Sequence, residues 1–382
     1  MSARSSCAEP VTGDFTLSAD EIEDYVLAER VGRLGLITLN RPRALNALNV
    51  EMVRSIAWAI EQWDSECDVD AILLRSRSSR AFCAGGDVRA IGTLPNSNAR
   101  IAMGREFFGE EFALNQRINR LKKPFISLID GVAMGGGLGI SLHGSHRVVS
   151  ENVKMGMPEN LIGYFPDVGA TWFLNRCPGH LGRFLALTGT NSQTEDAIFS
   201  GFATHHVPAS SFQSLESDLV ADSRLNHGAV DSIIRRHCAP IKESAFKEKM
   251  DQINEIFGQD TFEAMLCNLE KAAAACAWFA TAHETIMRSA PTSLQVTWKR
   301  MVEGRDQSIE TILRDDYRVA LRMVAREDFA EGIRAVLVDK DHAPKWKPGN
   351  LFDVNENGVE ALLKPLGAST DIAAEDLQMN MA

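Results

Sequence analysis

The stretch Gly131-Val-Ala-Met-Gly-Gly-Gly-Leu-Gly139 decides the reading of this chain, because it follows the apolar strand pattern Pro124-Phe-Ile-Ser-Leu-Ile129 and runs into helical periodicity from Gly135 to His143. A helix N-terminus presents unpaired N–H groups and the positive end of its dipole, and residues without a β-carbon let a ligand approach the backbone closely. Close packing of helix on sheet would ask for the same glycines. A second loop, Phe82-Cys-Ala-Gly-Gly-Asp87, also follows a strand, and by itself it reads as a tight turn needing positive φ. Neither loop has the G-x-x-x-x-G-K-[ST] spacing of a phosphate-cradling P-loop. Two donor loops at separate strand ends can instead converge on one carbonyl oxygen and stabilise the anion that develops there.

Outward from these loops the chain alternates strand and helix. Leu34-Gly-Leu-Ile-Thr-Leu-Asn40 is an apolar run ended by Arg41-Pro42 and predicts a strand. Val50, Val53, Ile56, Ala57, Ile60 and Trp63 recur at three- and four-residue steps and predict a helix. A short buried strand over 71–75, a helical stretch over 100–121 and further strands over 124–129 and 147–150 complete an α/β core. Ser192-x-x-Glu195 has capping-box spacing, which predicts a helix starting there. Beyond about residue 210 the strand patterns stop, and helical periodicity runs through 211–236, 246–289 and 306–326 with a break at Ala290-Pro291. The expected organisation is an N-terminal extension over 1–26, a core over 27–210 and a C-terminal helical region over 211–382, with an acidic end from Gly367 expected to fray.

Composition bounds the function. Of 382 residues 45% are hydrophobic and 24% charged, as in an ordinary globular enzyme, and the length suggests two or three units. A net charge of -11 argues against a nucleic-acid partner, which needs clustered Lys and Arg. No run approaches the roughly 18 apolar residues of a membrane span. Seven scattered cysteines without a C-x-x-C pair read as reduced thiols. The nine histidines show no H-E-x-x-H or paired-ligand spacing, so no metal is expected, and His143 and His146 read as helix-packing residues. The first seven residues are Ser-rich with one Arg, but acids begin at Glu9, which makes a poor transit peptide.

Glycine loops position charge and supply no proton transfer. Met157-Pro-Glu159-Asn160 and Phe165-Pro-Asp167-Val168 place two acids in an otherwise apolar, Gly- and Pro-rich segment. Buried carboxylates are costly unless they have a partner or a task, which makes Glu159 and Asp167 candidate catalysts. Capping and turn roles fit the same positions.

Together these motifs resemble the crotonase, or enoyl-CoA hydratase/isomerase, superfamily, and over about residues 27–366 they resemble its 3-hydroxyisobutyryl-CoA hydrolase branch. The markers are Leu39-Asn-Arg-Pro-Arg-Ala-Leu-Asn-Ala-Leu48, Ala81-Phe-Cys-Ala-Gly-Gly-Asp-Val-Arg89, Met134-Gly-Gly-Gly-Leu-Gly139 and Met157-Pro-Glu-Asn-Leu-Ile-Gly-Tyr-Phe-Pro-Asp-Val-Gly169. Ser289-Ala-Pro-Thr-Ser-Leu294, Glu331-Gly-Ile-Arg-Ala-Val-Leu-Val-Asp-Lys-Asp341 and Pro344-Lys-Trp-Lys-Pro348 extend the likeness into the hydrolase branch. The resemblance implies a crotonase-like spiral of ββα repeats with a C-terminal helical region. It implies oxyanion donors at the Gly86 and Gly136 amides, Glu159 as the catalytic acid–base or nucleophile, and Asp167 as its partner on the substrate. Glu111 would line the acyl pocket, although a solvated helix face fits it equally. Arg43, Ala44, Leu45, Ala84, Gly85 and Asp87 would hold coenzyme A, which belongs to substrate and product, so no separate cofactor is implied.

One departure separates the branches. The hydratases' second glutamate corresponds to Gly139, which cannot ionise, while Asp167 stands where hydratases usually have glycine. Hydration around paired carboxylates is therefore disfavoured. The expectation is hydrolysis of 3-hydroxyisobutyryl-CoA, in valine catabolism, by a possible homo-oligomer, in the mitochondrial matrix of a eukaryote or otherwise in the cytoplasm. The rivals are a hydratase or isomerase of another short-chain acyl-CoA, with Glu159 as sole base, and a non-catalytic structural relative such as a mitochondrial ribosome-associated subunit. The presence of both Glu159 and Asp167 disfavours the latter.

Overall fold

The computed structural model describes residues 24–365. Residues 1–23, which hold most of the expected 1–26 extension and Cys7, and residues 366–382, which hold the acidic end, lie outside the described residues. Among the described residues nine strands form two sheets. The larger contains β1 (Val26–Val31), β2 (Leu34–Leu39), β3 (Ala71–Ser76), β5 (Phe125–Ile129), β7 (His146–Val149) and β9 (His205–His206) in that order, and the smaller contains β4 (Ala81–Cys83), β6 (Val132–Met134) and β8 (Lys154–Gly156). From β3 onward consecutive strands fall alternately in the two sheets, and every pairing after the β1–β2 hairpin is parallel. Helices return the chain after each pair of strands, which is the expected spiral of ββα repeats. All six residues of β2 are buried, the pattern of a sheet covered on both faces.

The helices arise where the periodicity put them. α1 (Val50–Ser65) is capped by the Asn49 side chain, which accepts from Met52 N, and it buries Met52, Val53, Ile56, Ala59, Ile60 and Trp63. α2 (Val88–Gly92) is a short turn after the first glycine loop, and α3 (Ser97–Arg120) is the longest helix of the core. α4 (Gly136–Leu142) begins inside the glycine triplet and is buried throughout.

The stretch from Gly131 follows the strand ending at Ile129 and leads into a helix, as expected, but within it an unread strand, β6, precedes the glycine triplet and places the loop at the end of the second sheet. A three-residue strand is too short for a period of two to register. One sequence expectation needs correction: the Ser192 capping box does not form. Ser192 exchanges both backbone hydrogen bonds with Met155, at 2.7 and 3.0 Å, and the helix starts two residues later, over Thr194–Ser200. Pairing of the Ser192 backbone with Met155, next to β8, takes precedence over the cap.

After β9 the described chain is helical. The break at Ala290-Pro291 separates a helix ending at Arg288 from the helix Pro291–Glu303, which has its proline at the first turn, where no N–H is needed. The helix Ile309–Ala325 packs along α3. Arg100, buried on α3, donates to Val324 O at 2.7 Å and Ala325 O at 3.1 Å, so its cation satisfies the carbonyl end of that helix. One continuous hydrophobic cluster runs from Ile37 to Val359 and joins the helical part to the sheets. No helix among the described residues is long and apolar enough to cross a membrane.

Candidate active site

Asn46 organises the first glycine loop. Its Nδ2 donates to Ser76 Oγ at 2.8 Å and Phe82 O at 2.9 Å, while Leu45 and Asn46 both take the left-handed conformation. Leu45 O then accepts from Ala84 N at 3.0 Å, which ties the 41–48 turn to the 84–87 loop. Leu48 pairs with Gly86 as a parallel bridge: Leu48 N donates to Gly85 O and Asp87 N to Leu48 O, each at 2.8 Å. This pairing uses the residues either side of Gly86, so the Gly86 N–H faces the opposite way. Gly85 sits at φ 104°, accessible without strain only to glycine.

Gly136 is the first residue of α4, so its N–H has no acceptor within the helix. A methyl group on Gly136 would lie 3.1 Å from Gly86 N, and one on Gly85 would lie 3.6 Å from Gly136 N. The two unpaired donors therefore border one small space, an arrangement suited to a developing oxyanion.

Beside them is a cavity of about 200 Å³, lined by Ala84, Gly85, Gly86, Gly135 and Gly136, by Glu111, Glu159 and Asp167, and by Phe107, Phe108, Tyr164, Val336 and Leu337. Glu111 is only 2% exposed, so its place on α3 is an inward one and the solvated-face alternative does not hold. Glu159 is 8% exposed and Asp167 5%. Arg43, Ala44, Leu45 and Asp87 lie outside the lining: Arg43 is exposed on the adjoining turn, and the Asp87 carboxylate is engaged by Arg41 Nη1 at 2.9 Å.

Three carboxyls around one small cavity perturb one another. Burial, then the Asp167 and Glu159 charges, hold Glu111 protonated well above the usual carboxylate range. Burial, then the charge of Asp167, does the same for Glu159. Asp167 is pushed up to about 8, first by burial and next by Asp316, against a hydrogen bond from Tyr164 OH at 3.0 Å that favours its ionised form. Glu111 Oε1 and Glu159 Oε2 are buried with no protein partner, leaving both free for a bound molecule. Such groups mark functional sites more often than structural ones.

The Asp167 shift has a consequence for stability. A carboxyl that binds its proton more tightly in the fold than in the unfolded chain contributes most stability at low pH, and loses it as pH rises from its ordinary 3.8 towards about 8. Asp167→Asn is therefore expected to raise Tm at pH 8 by roughly 2–8 °C, with a smaller gain at pH 5. Paired thermal scans at the two pH values check this, and an unchanged or lower Tm at pH 8 contradicts it.

Sequence reading did not single out Tyr164, Asn46, Val336 or Leu337. Tyr164 sits in an aromatic, Pro-rich run that reads as core, and it does stack on Phe108 with ring centroids 5.6 Å apart. Val336 and Leu337 fall inside the 331–341 motif, which carried a resemblance but no chemistry. His143 is a packing residue as expected: burial lowers it to about 4, and its neutral ring is hydrogen-bonded through Nε2 to Val168 O at 2.8 Å. Among the described residues no cluster of His, Cys, Asp and Glu is placed to hold a metal ion.

The sequence model of the enoyl-CoA hydratase/isomerase family matches residues 34–363. The chain is 39% identical over 347 residues to a Xenopus laevis protein named 3-hydroxyisobutyryl-CoA hydrolase, mitochondrial, covering 90% of this chain and 89% of the relative. A Homo sapiens protein of the same name is 38% identical over 351 residues, covering 91% and 90%. Two crystal structures superpose closely. One is a carnitinyl-CoA dehydratase from Mycobacterium thermoresistibile (TM-score 0.83, 38% identity, covering 90% of this chain and 97% of that one). The other is an enoyl-CoA hydratase from Rhodobacter sphaeroides (TM-score 0.82, 35% identity, covering 90% and 98%). The chain thus belongs to the enoyl-CoA hydratase/isomerase, or crotonase, family, and within it to the group of relatives named 3-hydroxyisobutyryl-CoA hydrolases.

Proposed function

We propose that the chain hydrolyses 3-hydroxyisobutyryl-CoA to 3-hydroxyisobutyrate and free coenzyme A, a step of valine breakdown, and that in a eukaryote it does so in the mitochondrial matrix. The observation that carries this reading is at position 139. A side chain on Gly139 would meet Val168 Cβ at 2.8 Å and Asn115 Nδ2 at 3.0 Å, so the hydratases' second carboxylate has neither the residue nor the room. Glu111, Glu159 and Asp167 supply the acids instead. The two solved relatives, a dehydratase and a hydratase by name, support the rival reading, and the closed space at Gly139 weighs against it.

In the proposed reaction the thioester carbonyl oxygen accepts from the Gly86 and Gly136 amides. Ionised Glu159 takes a proton from water as the water oxygen bonds to the carbonyl carbon. Collapse of the tetrahedral intermediate breaks the carbon–sulfur bond, and the thiolate leaves with the proton. In the alternative route Glu159 itself bonds to the carbonyl carbon and expels the thiolate, leaving a mixed anhydride. Water opening that anhydride at the Glu159 carboxyl carbon leaves labelled oxygen in the protein, whereas direct water attack on the thioester puts it in the product. Asp167 and Tyr164 would hold the 3-hydroxyl, so an acyl group without it leaves buried polar atoms unpaired. Isobutyryl-CoA is accordingly expected to show a kcat/KM lower by about 10²-fold or more in a free-thiol assay. Equal rates would remove the substrate assignment. Coenzyme A would lie over the turn from Arg43 to Leu45 and the loop of Ala84, Gly85 and Asp87. Self-association into a homo-oligomer is a further part of the proposal.

The pH profile follows from the same carboxyls. Catalysis needs Glu159 ionised, and burial with the Asp167 charge holds it protonated. The acidic limb of kcat/KM is therefore expected above the ordinary Glu value of about 4.3. Asp167→Asn removes the negative neighbour, lowers the Glu159 midpoint and moves the limb to lower pH. A limb that stays at the ordinary value, or moves up in that variant, contradicts the assignment.

A further inference from the structure

We propose that Asp316, on the helix Ile309–Ala325, is a positioning residue that clamps the strained backbone at Val168 and so aims the Asp167 carboxyl into the cavity; the inference rests on the proposed role of Asp167 in thioester hydrolysis. Val168 is β-branched yet sits at φ 51°, a conformation such residues adopt only when their surroundings impose it. Two hydrogen bonds impose it here. The neutral His143 ring donates through Nε2 to Val168 O at 2.8 Å, and the next amide, Gly169 N, donates to Asp316 Oδ2 at 2.8 Å. Asp167 is the residue immediately before the strained one, so a change in φ at 168 would swing its carboxyl relative to Glu159.

Asp316 is fully buried and is itself fixed from the far side. Its Oδ1 accepts from Arg300 Nη2, and the same nitrogen donates to Ile312 O at 3.1 Å, while Arg300 Nη1 reaches Asp315 Oδ2 at 3.3 Å. A buried ion pair of this kind adds little net stability and is better understood as fixing one geometry. The charged and titratable groups around Asp167 are Tyr164 and Glu159 on its own segment, Glu111 on α3, and Asp316 backed by Arg300; His143, just past the end of α4, touches the neighbouring carbonyl. Asp316 is the charge that most raises Asp167 after burial, so the clamp also keeps Asp167 protonated further up the pH scale. The sequence gives no hint of this, because 147 residues separate Asp316 from Gly169.

The test combines kinetics with a titration that needs no turnover. Asp316→Asn keeps an acceptor for Gly169 and removes the charge. Its Asp167 midpoint, followed by carboxyl carbon NMR against the Asp167→Asn spectrum, is expected to fall by about one pH unit or more. Asp316→Ala removes the acceptor as well, and kcat for thiol release is expected to fall about 10²-fold with KM little changed. Adding Val168→Gly, which accepts φ 51° without a clamp, should recover most of that loss. An Asp167 midpoint unmoved in Asp316→Asn overturns the electrostatic half of the proposal even if Asp316→Ala fails to fold. Loss of kcat in Asp316→Ala that Val168→Gly leaves unrepaired overturns the positioning half. Absence of thiol release by the wild type with the midpoint shift intact would instead locate the failure in the hydrolase reading.

Discussion

Glu159→Gln is expected to lower kcat for thiol release from 3-hydroxyisobutyryl-CoA by about 10²–10⁴-fold, the usual contribution of a positioned general base, with KM close to that of the wild type. Glutamine has the same shape and so preserves the packing of a side chain that is 8% exposed. What it removes is an oxygen that can take a proton or bond to carbon, since Oε2 is the atom left without a protein partner. The fold itself should not suffer, because burial disfavours the charge that the substitution deletes. A Glu159→Gln enzyme that retains wild-type kcat would remove this residue from the chemistry. A variant that loses KM and Tm together would make its role one of packing.

Gly136→Ala should cost nearly as much by a different route. The added methyl would collide with Glu111 Oε1 and lie 3.1 Å from Gly86 N, filling the space between the two amides without deleting either. Losing one donor of an oxyanion hole costs about 10²–10³ in kcat, and blocking the hole is expected to cost at least that. Gly137→Ala is the informative comparison. Its methyl points at Cys83 O, backbone of the neighbouring strand, so it should lower Tm first. Steady-state kinetics and thermal scans on both variants separate the cases, and a Gly136→Ala enzyme with unchanged kcat contradicts the oxyanion assignment.

The parts of this site that the sequence made legible are those carried by local pattern. The glycine loops stand out because backbone donors need residues without β-carbons, and Glu159 and Asp167 stand out as acids among apolar neighbours. Glycine at 139 is equally plain. What escaped depends on distant parts of the chain. Strands of three residues, β4, β6 and β8, carry no usable periodicity, so the second sheet that holds the glycine triplet had to be seen. Ser192 satisfied a local capping rule and yet pairs with Met155, since its neighbours across the fold set its backbone. Val336 and Leu337 reach the cavity only because the helical part packs over the core, and no spacing along the chain reports that.

In the proposed reaction one cavity, with Glu159 and without a second carboxylate at 139, directs water to the thioester carbonyl. The most direct measurement gives one preparation both tasks: free-thiol release from 3-hydroxyisobutyryl-CoA and hydration of crotonyl-CoA, each as kcat/KM. The predicted result is thiol release with hydration slower by about 10²-fold or more, since hydration lacks its carboxylate at position 139. Hydration of crotonyl-CoA without thiol release would contradict the account.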